Sequence, residues 1–387
     1  MKKILSALLV LCMLLCVFSS CIKTPKNEAE ESSQAESTSE VQNTTDTEHE
    51  PEGTHKTEEE LQLKRTSYNL LTSKDKIHIQ GRSMDTADGI TADWSASGIE
   101  FKATYKGYIS VTGKATKDVK FYVYVNGKET GTVTFGSSMS LKKLPGTETD
   151  EPTTATIRLV RAQYVKDGLA TLKAVSLVGT IHEWQEERKL IEFIGDSITC
   201  GFGSITNDSK KDGSRTYAYV AASKLEADYS LVAISGIGVN QSSDNHYGKV
   251  MGDFYKYNTY YRDETTLYTP ERKADLVVVN LNTNDDGHEL VESEYKADLK
   301  ALLADIHSIH GEDVNIVWIV GHMSPVDIEV NGWLFEVLDE LGGEESGYYV
   351  METTQNNAGG KNHPNYASHK VTAGHLVTFI KENKLLG

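Results

Sequence analysis

The sequence predicts two folded domains: an all-β sandwich of jelly-roll type, then a three-layer α/β domain with a parallel sheet. Three observations carry this. Beyond residue 65 about 320 residues remain, more than one ordinary core holds. Their first third alternates apolar and polar residues with period two. The remainder alternates Val/Ile/Leu-rich runs with helical stretches.

Taken in order, the chain begins with Lys2 and Lys3, an apolar run from Ile4 to Phe18, and then Ser19-Ser20-Cys21. A charged start, a short apolar stretch and small residues before a cut read as a signal peptide; a membrane span would need about 20 apolar residues. The small pair before a cysteine resembles a bacterial lipoprotein signal over residues 1–21, with Cys21 as the lipidated residue, although Phe18 stands where Leu is usual. Cys12 and Cys16 leave with the signal. Cys21 and Cys200 remain, so lipid on Cys21 precludes an intramolecular disulfide and stability has to come from packed cores.

Residues 22–65 read as a disordered linker. Residues 26–60 hold twelve Asp or Glu against two Lys, which accounts for −10 of the formal charge of −17. Such a segment buries too little apolar area to offset the entropy of ordering. As a spacer of about 40 residues it spans roughly 35 Å. Nothing basic or interleaved with aromatics suggests a nucleic-acid partner.

Residues 66–185 carry the β pattern. Ile99 to Thr112 alternates, and Val119 to Val125 runs into Asn126-Gly127 before alternation resumes from Thr130 to Phe135. Asn-Gly between β-rich runs is a hairpin signal, because both turn residues need positive φ. Thr156–Val160 and Leu172–Val178 add further strands. No catalytic constellation lies in this half.

Residues 186–387 carry the α/β pattern. Leu190–Ile194, Leu231–Ile234, Leu276–Leu281 and Val314–Val320 read as buried parallel strands. Helices are expected around Thr216–Glu226, Ser293–Ile309 and Ala367–Lys381. Ligands bind such sheets at the carboxyl ends of the strands, and the motifs fall there. Gly195-Asp196-Ser197 follows the first strand, Ser235-Gly236-Ile237-Gly238 the second, and Asn282-Thr283-Asn284-Asp285 the third. His363-Pro364-Asn365 precedes the last helix. Alone, Gly-Asp-Ser could be a turn capping a helix.

Together the four blocks, in this order over about 200 residues, resemble the SGNH (flavodoxin-like) hydrolases. The resemblance implies Ser197 as nucleophile and His363 as its general base. It also implies an oxyanion hole from the Ser197 N–H, a glycine N–H (Gly238 first, Gly236 second) and the Asn284 amide. Such donors are worth ~10²–10³ in rate each, and serine needs a base to become nucleophilic near neutral pH. Asp196 is expected to support the loop. Two departures stand out. Asn282 replaces the usual glycine, which implies a loop of somewhat different shape. Gly360, Lys361 and Asn362 stand where an acid usually precedes the histidine. Three explanations are open: a backbone carbonyl orienting His363, a carboxylate from elsewhere, or loss of activity.

Gly81-Arg82, the run from Trp94 to Phe101, Ile157–Val160 and Ile191–Gly201 are further similar to carbohydrate esterase family 2. Those enzymes join a jelly roll to an SGNH domain and remove acetyl groups from xylan- or glucomannan-type polysaccharides. Some use a Ser-His dyad with a main-chain carbonyl in place of the acid. The resemblance implies an acetyl esterase without cofactor, acting on acetylated polysaccharide and held extracellularly at the cell surface by a membrane lipid anchor at Cys21. Two alternatives differ in class or substrate: a non-catalytic carbohydrate-binding lipoprotein, and an esterase of lipid or thioester substrates. Cys200 reads as a small buried hydrophobe. His307 and His310 lack zinc-type spacing, so no metal is expected. His369 and His375 read as surface or packing residues, and His246, Tyr247 and Trp333 as either cleft-lining or core.

Overall fold

The computed structural model describes residues 64–387, except 206–209, 244–245, 247, 262–266 and 355–357. The expected signal peptide, Cys21 and most of the acidic linker lie outside the described residues, as does Tyr247. Among the described residues no helix is long and apolar enough to cross a membrane.

The first half is antiparallel. Its ten strands are β1 (Arg65–Asn69), β2 (His78–Gln80), β3 (Met84–Thr86), β4 (Gly89–Ala92), β5 (Gly98–Ala115), β6 (Val119–Val125), β7 (Lys128–Phe135), β8 (Ser140–Lys143), β9 (Thr149–Arg161) and β10 (Ala170–Ile181). They form one hydrogen-bonded network with main order β3-β4-β10-β5-β9-β6-β7. The long β5 organises it, pairing β10 along one edge and first β9, then β8, along the other. Its register slips near Gly107 (φ 80), which lets the sheet bend around an apolar core that includes Phe101, Val111, Phe121 and Leu159. The Asn-Gly hairpin forms as expected, with φ 49 at Asn126 and 76 at Gly127.

The second half is a five-stranded parallel sheet. Its strands are β11 (Leu190–Gly195), β12 (Asp228–Ala233), β13 (Leu276–Asn280), β14 (Asn315–Val320) and β15 (Tyr348–Glu352), in the order β12-β11-β13-β14-β15. Helices α1 (Tyr217–Lys224) and α5 (Tyr366–Glu382) cover one face; α2 (Met251–Tyr255), α3 (Glu292–His310) and α4 (Glu329–Glu340) cover the other. Alternate strand residues serve the two faces: Ile191, Phe193, Val278 and Val317 pack with α1 and α5, while Ile194, Val279 and Trp318 pack toward α3 and α4. Two-sided burial explains the continuous apolar runs in these strands.

The halves share their cores. Trp94, Tyr164 and Val165 join the cluster on the α3 face, and Ala96 and Val160 the one on the α1 face. Arg82 crosses as a cation: its Nη2 and Nε donate to Glu192 on β11 at 2.6 and 3.0 Å, and Nη1 reaches the Tyr255 carbonyl. His310 Nε2 lies 3.0 Å from the same carboxylate. Both members of the Arg82–Glu192 pair are buried, so pairing and hydrogen bonding are what make the charges tolerable.

Candidate active site

β11 ends at Gly195, where a side chain could not fit: a Cβ would stand 2.1 Å from Thr199 Oγ1 and 2.9 Å from the Asn280 carbonyl. That close approach turns the chain sharply and sets Ser197 at the carboxyl edge of the sheet. Asp196 folds under the turn. Its Oδ1 accepts from Ile198 N at 2.8 Å and its Oδ2 from Asn284 Nδ2 at 3.1 Å. Burial, with the Asp285 charge adding to it, pushes its pKa up to about 7.

His363 arrives from a loop 166 residues later, and its Nε2 is 2.8 Å from Ser197 Oγ. Backbone contacts hold the two loops together: Gly360 N faces Gly203 O at 3.5 Å, Gly359 N donates to His363 O at 2.7 Å, and Tyr366 N donates to Ser204 O at 2.8 Å. Lys361 (φ 55) and Asn362 (φ 58) both take the left-handed conformation, an unusual choice for side chains other than glycine. The turn so made aims the Lys361 carbonyl at His363 Nδ1, 3.0 Å away. Among the described residues no carboxylate bonds either ring nitrogen, which matches the backbone-carbonyl alternative. Phe202 packs on the imidazole with ring centroids 4.4 Å apart. Burial lowers the His363 pKa and the Lys211 charge lowers it further, while the Lys361 and Gly360 backbone contacts pull the other way.

The expected oxyanion donors gather nearby, but two are turned toward protein acceptors. Gly238 N donates to Ser242 Oγ over a long 3.3 Å. Asn284 Nδ2 donates to Asp196 Oδ2 and, at 2.9 Å, to the Ile237 carbonyl, while its Oδ1 accepts from Ser243 Oγ at 2.6 Å. Each would have to exchange one bond for a developing oxyanion, a tightening common when substrate binds. Gly238 leaves no room for a side chain, since a Cβ would fall 1.7 Å from the Gln241 carbonyl. Gly236 sits close by with φ 83. Asp285 anchors this loop by accepting from Val239, Asn240 and Gln241 N at 2.8–2.9 Å. Asn282 stands at the start of the loop that carries Asp285. Its φ of 82 is one a glycine adopts freely, and its side chain bonds Asn331 and Tyr295.

His307, His310 and His375 have partners of their own. His307 contacts Tyr348 OH and the Gly311 carbonyl, His310 contacts Glu192, and His375 Nδ1 lies 3.4 Å from Thr353 Oγ1. His369 is fully buried against Tyr217, so packing rather than surface describes it. Among the described residues no group of three or more His, Cys, Asp or Glu could hold a metal. Trp333 packs against Tyr295 in the core. Cys200 is buried, and burial raises its thiol pKa far above the ordinary value.

Sequence reading missed the share taken by the β half. Tyr164 OH accepts from Ser235 N at 2.9 Å, while His246, of the α/β half and buried, sets its Nε2 3.0 Å from the carbonyl of that same serine. Nothing local in Ala162-Gln163-Tyr164-Val165 marks that role.

Residues 193–371 match the GDSL-like lipase/acylhydrolase family. The cellulase/esterase CelE of Acetivibrio thermocellus is 31% identical over 220 residues, covering 51% of this chain and 26% of that protein. The acetylxylan esterase/glucomannan deacetylase of Cellvibrio japonicus is 23% identical over 220 residues, covering 51% and 61%. The chain thus spans only part of either curated relative. A family two carbohydrate esterase from Clostridium thermocellum, solved in complex with cellohexaose, superposes with a TM-score of 0.72 at 24% identity, over 80% of this chain and 99% of that one. Residues 193–371 thus resemble a GDSL-like lipase/acylhydrolase domain, and with the antiparallel half before it the chain has the fold of the family 2 carbohydrate esterases.

Proposed function

We propose that this chain is a serine esterase that removes O-acetyl groups from polysaccharides of the xylan or glucomannan type. The observation that carries the reading is the 2.8 Å contact of Ser197 Oγ with His363 Nε2, in a chain whose curated relatives are named as esterases. Because the Lys361 carbonyl can only accept, it holds the proton on His363 Nδ1 and leaves Nε2 as the base. Ser197 Oγ adds to the acetyl carbonyl carbon as its proton passes to Nε2. The bond to the sugar oxygen then breaks, and His363 returns the proton to that oxygen. Water repeats the sequence on acetyl-Ser197 and releases acetate. A neutral carbonyl stabilises the imidazolium less than a carboxylate would. Hydrogen bonds to charged groups are worth about 1.5–3 kcal/mol against about 1 for neutral pairs, so the dyad trades some rate for its missing acid. Lipid at Cys21 and the acidic spacer would hold the enzyme at the outer cell surface, a proposal supported by the N-terminal pattern alone.

The test is acetate release from acetylated xylan and glucomannan by the wild type, Ser197→Ala and His363→Ala. Release that both substitutions abolish is expected. If the wild type released acetate neither from these polymers nor from an aryl acetate, the esterase reading would fail in favour of a carbohydrate-binding surface protein.

A further inference from the structure

Beside the Ser–His pair stands a cation that the reaction above does not use. Lys211 Nζ lies 4.6 Å from the centroid of the Phe202 ring and 4.7 Å from that of Tyr164. Phe202 itself packs on His363, so a single ring separates the ammonium from the base. An isolated antiparallel bridge between Phe202 and Lys211 fixes the lysine backbone there. Among the described residues no carboxylate lies within ion-pair distance of Lys211. Asp212, the next residue in the chain, is bonded to Ser214 and the Tyr122 hydroxyl. A second lysine of the β half, Lys166, lies 5.6 Å over the Tyr260 ring and 3.4 Å from His246 Nδ1.

An ammonium held over two aromatic rings, with no carboxylate of the described residues in ion-pair range, is suited to pair with an anion. We propose that Lys211 is a specificity-determining residue that pairs with the carboxylate of a uronic acid carried near the acetylated sugar. The substrate class is thereby narrowed to acidic acetylated polysaccharides. This rests on the esterase reading.

The experiment compares kcat/KM for acetate release from an acetylated glucuronoxylan and from the same polymer stripped enzymatically of its uronic acid groups. Wild type, Lys211→Met and Lys211→Arg are assayed at low and high salt. The wild type should prefer the charged polymer by roughly 3- to 10-fold, with the preference shrinking as salt rises. Lys211→Met should bring the ratio near one, and Lys211→Arg should restore most of it. Equal rates on both polymers in the wild type, or a preference that survives Lys211→Met, overturn the assignment and leave the esterase intact. No release from either polymer overturns the esterase reading and this inference with it.

Discussion

Alanine at position 203 should part the serine from its base without dismantling either core. Gly203 has φ 68, and a Cβ built on it would stand 2.7 Å from both the nitrogen and the oxygen of Gly360. Ordinary contacts to carbon begin near about 3.5 Å, so the Gly360 segment has to retreat by somewhat under 1 Å. The positive φ adds about 1–2 kcal/mol of backbone strain. Gly360 accepts from His363 N at 3.1 Å, and the next residue aims its carbonyl at the imidazole, so the retreat passes straight to Nε2. A 2.8 Å contact with Ser197 would then stretch beyond useful hydrogen-bond length. Misplacement on this scale costs about 10²-fold in rate. We expect kcat/KM on an aryl acetate to fall by that factor, with Tm lowered by only a few degrees. Gly332→Ala is the matched control. It sits exposed in α4 with nothing within 4 Å of a built Cβ, and should be neutral or stabilising by about 0.5–1 kcal/mol. Activity of Gly203→Ala within about threefold of wild type would refute the proposed coupling of the two loops.

Glu192→Gln should destabilise the fold by about 3–5 kcal/mol in urea unfolding at neutral pH, because it leaves the Arg82 guanidinium buried without its counter-charge; a loss below about 1 kcal/mol would contradict that. Burial opposes the Glu192 charge, but Arg82 and His310 outweigh it and hold the pKa below the usual carboxylate range. Its contribution is thus complete above the unfolded value of about 4.3 and is lost as pH falls through the lower folded value. The pH profile of kcat/KM should show an acid limb with a midpoint below the ordinary histidine value of about 6.5. Burial, then the Lys211 charge, disfavour the imidazolium of His363, and only the neutral ring can accept the Ser197 proton. Activity is lost as pH falls through that midpoint, and Lys211→Met should move it upward. A wild-type midpoint above 6.5 would count against His363 as the base.

The parts legible in the sequence were those written in local pattern. The runs at Leu190, Leu231, Leu276 and Val314 became β11 to β14 because two-sided burial demands unbroken apolar residues, and Asn126-Gly127 became the hairpin it announces. Edge strand β15 escaped notice, since in Tyr348-Tyr349-Val350-Met351 the buried ends enclose two half-buried residues and no alternation stands out. The motifs brought Ser197, His363, Gly238 and Asn284 together by their positions at strand ends. A backbone carbonyl was among the groups expected to orient His363, but which one could not be read, because every residue carries one. Only the left-handed turn at Lys361 and Asn362 aims it. Tyr164 and Lys211 were invisible for another reason: their contacts join distant segments, and no local spacing encodes that.

The shared cores bear on how the protein is made. Chains fold from the N-terminus as they are synthesised, and the β half is complete in sequence at Ile181. At that moment Trp94, Tyr164 and Val160 lack the apolar surface that will cover them, and Arg82 awaits an acid 110 residues further on. The first half cannot reach its final packing alone. Its closure waits for β11, whose last turn presents the serine. The histidine loop follows nearly at the end of the chain, so a truncated product, however well folded its sheets, carries a nucleophile with no base.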